Sequence, residues 1–215
     1  MSRDNILHRV RTALGRSAGQ SVGDVPLVRI RIPEVAPGVD PEVEMEARIA
    51  GMTARLEALA GVVRRTTDPR GVVAQAIAGK TAVASNAPYL AECGITSLPG
   101  VRAGITNLEE LRGLCATCDF GITSADYALA DTGTLVMLAS PREARLVSLL
   151  PPAHIAVVPR ARILTGLDEL FSILPRPAEQ TSSMVLITGP SRTADIEQIL
   201  VRGVHGPGQV MVVIV

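Results

Sequence analysis

Apolar and polar positions along the chain switch repeatedly between a helical and an extended period. From Asn5 to Leu14 the apolar residues Ile6, Val10, Ala13 and Leu14 fall on one helical face, and Gly15 ends the run. Arg16 to Gly38 is rich in Pro, Gly and Ser, the composition of a linker. This predicts a helical arm and linker over residues 1–38, followed by one domain over 39–215. Asp40-Pro41 opens a second helix, with a cap and a proline at its first position, running to about Ala60. A strand is then expected at Val62–Arg64, a helix from Asp68-Pro69 to Gly79, a strand at Thr81–Ala84, and a helix over Asn107–Leu114.

The pattern next becomes short β runs broken by Ser, Asp, Thr and Gly: Phe120–Ile122, Tyr127–Ala130 and Gly133–Ala139. These predict at least one antiparallel hairpin. Further on, a strand is expected at Ile155–Val158, a helix at Gly166–Leu174, and a surface loop from Pro175 to Gln180. The last three expected elements are a strand at Met184–Thr188, a helix at Thr193–Arg202 and a strand at Val210–Ile214. Strands alternating with helices give an α/β fold class: a mainly parallel sheet flanked by helices, with an antiparallel hairpin portion and an N-terminal helical arm.

Composition sharpens this. Hydrophobic residues make up 47 % of 215, enough for a core that needs no disulfide staples. Val, Ile, Leu and Ala dominate, which suits the interface between a parallel sheet and its helices. The aromatics are only Tyr89, Phe120, Tyr127 and Phe171, too few to stack single-stranded bases. Twenty-one basic residues balance twenty-one acidic ones, so no global field points to nucleic acid or to an anionic membrane. Lys80 is the only lysine, and no phosphate-loop motif surrounds it. No stretch approaches the roughly 20 apolar residues of a membrane span, and the first residues lack a signal-peptide core. The expected compartment is the cytoplasm.

Three polar turns are the candidate chemistry. Around the first, Asp126, Tyr127, Asp131, Thr132, Gly133 and Thr134 gather two carboxylates, a phenol and two hydroxyls; such a turn can bind a small anion or simply close a hairpin. The second places His154 after Pro151-Pro152 at the entrance of a strand. There it serves as acid, base or anion donor, or else satisfies a buried carbonyl. The third, Gly189-Pro190-Ser191-Arg192-Thr193, sits between a strand and an expected helix whose free amides would face an anion, with Arg192 adding a donor fork. His205, in the turn Gly203–Gly208, is a further candidate for the pocket of His154. Asp131 and His154 are the candidate catalytic residues. Cys115 and Cys118 form a CxxC with no third or fourth ligand nearby; a redox dithiol and two small buried residues both fit it.

Several segments in order resemble the LUD-domain family: Ala125-Asp126-Tyr127, Asp131 to Leu135, Arg145 to His154, Ile187 to Glu197, and Gly203 to Pro207. The resemblance implies a fold like the NagB/RpiA/CoA-transferase group and a role in oxidising L-lactate to pyruvate beside two larger iron–sulfur proteins. Asp131 stands where many relatives are expected to carry glutamate, and the CxxC lies outside the family pattern. The chain has no dinucleotide fingerprint, too few cysteines for a four-cysteine cluster and no flavin motif. No cofactor is therefore expected in this chain, and iron–sulfur clusters are expected in partner subunits. The expectation is an accessory, non-redox subunit of carbon metabolism that binds a small carboxylate or docks its partners, with a homo-oligomer held through the N-terminal arm also open. The alternative is a stand-alone CoA-transferase or isomerase acting on a small anionic metabolite, using Asp131 or Glu197 as its carboxylate.

Overall fold

The computed structural model describes residues 3–15, 40–194 and 200–215. The expected linker 16–38 and the acidic residues Asp195 and Glu197 lie outside the described residues. Helix α1 (Arg3–Ala13) forms as its apolar spacing predicts, and none of its residues is buried. In α2 (Pro41–Ala58) the Asp40 carboxylate accepts the Glu42 N–H at 2.8 Å, and Pro41 supplies the preset φ of the first turn. Ile49, Met52 and Leu56 mark the face that α2 buries.

Alternation of short strands and helices follows: β1 (Val62–Arg65), α3 (Pro69–Ala76), β2 (Ala82–Ala84), α4 (Pro88–Glu92), β3 (Val101–Arg102), α5 (Leu108–Thr117) and β4 (Phe120–Ser124). Asp68 caps α3 through the Gly71 N–H, and Asn107 caps α5 through the Glu110 N–H. The chain then forms β5 (Tyr127–Leu129), β6 (Thr134–Leu138), α6 (Arg145–Leu149), β7 (Ala153–Val158), β8 (Ile163–Leu164), α7 (Leu167–Ile173), α8 (Pro177–Gln180) and β9 (Met184–Ile187). It closes with β10 (Arg192–Ala194), β11 (Leu200–Arg202) and β12 (Gln209–Ile214).

Six strands build a wholly parallel sheet in the order β1-β12-β7-β4-β2-β3. On one face Ala84, Ile122, Ile155 and Val157 pack with Val73 of α3 and Leu90 of α4. On the other, Val83 meets Leu111 and Cys115 of α5 and Val147 of α6, while Ala156, Val158, Val212 and Ile214 meet α2 and the second sheet. That second sheet has the order β8-β5-β6-β9, with the expected β5–β6 hairpin antiparallel and Tyr127 opposite Val136. Both faces of the parallel sheet are covered, which is why its strands β2, β7 and β12 read as near-continuous aliphatic runs.

One expected element is different. In place of a helix over Thr193–Arg202, β10 and β11 pair antiparallel, with Arg192 opposite Arg202 and Thr193 opposite Val201. The β-branched pair suits an extended ladder. The ladder is continued at its base, where Gly203 (φ 79°) donates its N–H to the Ser191 carbonyl and Ser191 donates to Pro207. Gly203 therefore closes a hairpin base and does not cap a helix. The expected surface loop at Pro175–Gln180 also contains the single-turn α8, while α4, β3, α6 and β8 span at most five residues each, too short for periodicity to reveal.

Candidate functional site

The three sequence-predicted turns occupy different parts of the fold. The first and third meet: the Thr134 hydroxyl lies 2.8 Å from both the Thr132 and Thr188 hydroxyls, and Thr132 donates to the Asp131 carboxylate at 3.1 Å. What these turns approach is the last turn of α2. A β-carbon on Gly133 (φ 68°) would stand 2.7 Å from the Leu56 nitrogen, and one on Gly189 (φ 85°) would stand 3.1 Å from the Leu59 side chain. Arg192 donates its guanidinium to the Leu59 carbonyl, an orphan acceptor at the helix end. Pro190 is buried, Ser191 and Thr193 are half-buried, and among the described residues they lead into strand β10 rather than into a helix. Tyr127 packs against the cluster of Leu129, Val136 and Leu170.

His154 is 1 % exposed. Its Nε2 lies 2.7 Å from the Thr123 hydroxyl, Nδ1 has no partner among the described residues, and burial pushes its pKa down to about 4. It sits near the amino ends of the parallel strands, beside an apolar cavity of about 240 Å³. His205 is exposed and does not line that cavity, so the two histidines do not share a pocket. Cys115 and Cys118 are buried among Val83, Leu111 and Val147, and burial pushes the Cys115 thiol up to about 11, which keeps it protonated.

A different constellation forms at the carboxyl ends of β2 and β4. From β2 the chain turns through α4 towards β3; from β4 it leaves for the second sheet and α6 before reaching β7. The two connections part, and the crevice between them is the place where open α/β sheets bind ligands. Ser85 and Asn86 follow β2, while Ser124 and Asp126 end and follow β4. The turn Ser140-Pro141-Arg142-Glu143, closed by reciprocal Ser140–Glu143 backbone hydrogen bonds, covers them. The Asn86 N–H donates to the Arg142 carbonyl at 2.8 Å, and the Asn86 side chain holds the loop after β3 through Gly104 and Ile105.

Glu143 lies at the centre and is 7 % exposed. Its Oε2 accepts the Ser85 hydroxyl at 2.7 Å and the Ser124 N–H at 3.4 Å; Oε1 is buried with no partner among the described residues. Burial, helped slightly by the nearby Asp126 charge, pushes its pKa up to about 8. Asp126 accepts the Leu138 N–H at 2.7 Å, and burial also raises its pKa, against the pull of that bond and of Arg162. Arg162 donates to the Asp126 carbonyl at 3.4 Å. Glu143, Asp126, Arg142 and Arg162 line one cavity of about 310 Å³, with Tyr89 and Glu92 of α4 opposite. A larger cavity of about 600 Å³ adjoins it across Ala87, Pro88 and Arg142. Among the described residues neither Arg142 nor Arg162 has a carboxylate within salt-bridge distance, whereas Arg48, Arg65, Arg160 and Arg176 do.

Only Asp126 of the sequence-predicted residues lies in this crevice. Ser85, Asn86, Arg142, Glu143 and Arg162 escaped sequence reasoning. One signal was present: polar residues directly after a buried strand, at Ser85-Asn86 and at Ser140 to Glu143.

Residues 44–215 match the LUD domain family. The chain belongs to the LUD domain family. This LUD domain is 40 % identical over 111 residues to lactate utilization protein C of Exiguobacterium sp., covering 50 % of this chain and 48 % of that protein. It is 42 % identical over 106 residues to lactate utilization protein C of Halalkalibacterium halodurans, covering 47 % of this chain and 46 % of that one. Lactate utilization protein C 1 of Bacillus mycoides is 35 % identical over 147 residues, 63 % of each chain. The LUD domain thus spans about half the length of the first two relatives. The fold is similar to that of a DUF162 family protein from Deinococcus radiodurans, with a TM-score of 0.62 at 18 % identity over 79 % of this chain and 97 % of that one. Among the described residues, no helix is long and apolar enough to cross a membrane.

Proposed function

We propose that this LUD-domain chain is an accessory subunit of a system that oxidises L-lactate to pyruvate, and that it holds a small carboxylate in the crevice between β2 and β4. The name that its relatives carry, lactate utilization protein C, supports the first part. One observation carries the second: Glu143, a buried carboxyl with one oxygen unbonded among the described residues, shares a cavity with Arg142 and Arg162, neither of which has a carboxylate within salt-bridge distance among those residues. Guanidinium forks bind carboxylates through paired, charge-assisted hydrogen bonds, and a partly enclosed site strengthens them. Removing hydrogen from lactate releases two electrons, which need an acceptor. In this reading iron–sulfur partner subunits take them, and this chain binds the carboxylate and docks the partners. The exposure of Ile6 and Val10 on α1 and of Leu14 just after it, 49 %, 50 % and 60 %, fits a docking role for the arm.

The alternative, a stand-alone CoA-transferase or isomerase, draws support from the position of Glu143 beside the strand ends. Its covalent chemistry needs an ionised carboxylate. A carboxyl that holds its proton up to about pH 8 serves that role poorly.

Thermal unfolding of the purified chain with L-lactate, pyruvate and acetyl-CoA separates the readings, because a ligand that binds only the folded state raises the midpoint. The expected result is a rise with the carboxylates that Arg142→Ala and Arg162→Ala remove. A rise with acetyl-CoA alone, or oxidation of lactate by this chain with only a soluble electron acceptor, overturns the proposal.

A further inference from the structure

We propose that Glu143 is a positioning residue whose neutral carboxyl fastens the turn at 140–143 to the ends of β2 and β4 and so holds Arg142 in the crevice. Carboxylate binding then depends on a proton that the ligand never touches. This rests on the small-carboxylate reading above.

Among the described residues, three hydrogen bonds join this turn to the strand ends. The Asn86 N–H donates to the Arg142 carbonyl at 2.8 Å. The other two end on Glu143 Oε2, from the Ser85 hydroxyl at 2.7 Å and the Ser124 N–H at 3.4 Å. Within the turn, the Ser140 hydroxyl accepts the Arg142 and Glu143 N–H groups at 3.2 and 3.0 Å, which ties residues 140–143 to one another. The Arg142 guanidinium has no hydrogen bond or ion pair of its own among the described residues. Its place is therefore set by the backbone that carries it, between the cavities of about 310 and 600 Å³ that it lines. Without Glu143, one of the three fastenings is left.

The neutral acid suits this place and the anion does not. Glu143 is 7 % exposed, and its Oε1 has no partner among the described residues. Ionised, it is a buried charge with one oxygen lacking a donor, close to the Asp126 charge that follows β4 and in the same cavity as Glu92 of α4. Arg142, Arg162 and Tyr89 are the other charged or titratable groups lining that cavity. A buried charge without full pairing costs more than two hydrogen bonds return, so the carboxylate is expected to leave for water and take the turn with it. Burial places this loss of the proton at about pH 8. Burial also raises Tyr89 to about 12 and the Cys93 thiol beside it above its ordinary value, so neither ionises before Glu143.

Isothermal titration of pyruvate into the full chain at pH 7 and pH 9, in two buffers of different ionisation enthalpy, tests this. Apparent affinity scales with the fraction of protein in its competent, here protonated, form. With the proton lost near pH 8, the wild type is expected to bind about ten-fold more weakly at pH 9 and to take up about one proton per pyruvate there. Glu143→Gln, whose amide oxygen still accepts from Ser85 and Ser124, is expected to bind alike at both pH values without proton uptake. Arg142→Ala separates positioning from contact: the weaker binding that remains is expected to be the same at pH 7 and pH 9. A ten-fold fall that survives in Arg142→Ala shows Glu143 acting without Arg142 and overturns the inference. If either variant fails to fold or binds too weakly to titrate, hydrogen exchange of the wild-type Asn86 amide decides. Its protection is expected to drop between pH 7 and pH 9 beyond the intrinsic pH effect, and unchanged protection overturns the inference. Wild-type affinity that is equal at both pH values, without proton uptake, overturns this inference and leaves the small-carboxylate reading intact. No binding of pyruvate at pH 7 overturns both.

Discussion

Gly121 of β4 lies so close to Val147 of α6 that a β-carbon on it would stand 1.8 Å from the Val147 carbonyl oxygen. This contact seats α6 on the parallel sheet, and α6 begins two residues after Glu143. Gly121→Ala must push α6 outward, since backbone cannot yield as a side-chain tip does. The expected loss is about 3 kcal/mol of stability, read as a lower denaturant midpoint, and a weaker grip on carboxylates in the same protein. An alanine variant with wild-type stability contradicts the packing described.

Glu143 gives stability a pH dependence of stated sign. Its folded pKa of about 8 lies above the unfolded carboxyl value, so the folded state holds the extra proton. That contribution is complete below the unfolded pKa and is lost as pH rises through about 8. Between about pH 5 and pH 9, Glu143→Gln is expected to gain about 2–4 kcal/mol relative to the wild type, measured by urea unfolding across that range.

His154 acts in the opposite direction. Burial holds its folded pKa near 4, below the unfolded value of about 6.5, so the unfolded chain binds the proton first. Stability is expected to fall as pH drops from about 6.5 towards 4. In His154→Gln that acid slope is expected to flatten, while the variant loses about 1 kcal/mol at neutral pH with the Thr123 hydrogen bond. An unchanged slope in the variant would place the acid sensitivity elsewhere.

Thr134 and Arg142 separate scaffold from crevice. Thr134→Val breaks the hydroxyl chain from Thr132 to Thr188 and is expected to cost about 1 kcal/mol of stability while carboxylate affinity stays put. Arg142→Ala has no ion pair to lose among the described residues and is expected to keep its stability but lose roughly ten-fold or more in affinity. The two measurements together, calorimetric unfolding and titration, give opposite patterns if the assignment is right.

The architecture was largely legible in the sequence because long aliphatic strands and capped helices carry their own signals. Asp40-Pro41, Asp68-Pro69 and Asn107 each begin the helix they predict. The expected Thr193–Arg202 helix failed where its β-branched residues found an antiparallel partner, a choice that tertiary context makes. The crevice was harder. Ser85 and Glu143 are 58 positions apart and meet only because β2 and β4 are neighbours in space, although β3 separates them along the chain. The turns around Asp131 and Gly189 stand out in the sequence for their polar side chains and also carry glycines. Those glycines mark where the chain presses against α2, and close approach of backbone to backbone looks the same in a sequence as close approach to a ligand.

The strand order carries a further consequence. β12, the last strand in chain order, lies between β1 and β7, so its two neighbours cannot reach each other without it. With strands spaced about 4.8 Å apart, a growing polypeptide that has not yet delivered residues 209–214 carries an open slot one strand wide through the middle of its sheet. One wall, β7, is wholly buried in the finished sheet, while the other, β1, carries Val62 and Val63 beside Arg64 and Arg65; an unpaired strand edge is the kind of surface that recruits stray strands. On the ribosome, this domain is therefore expected to close its sheet only once residues 209–214 have emerged.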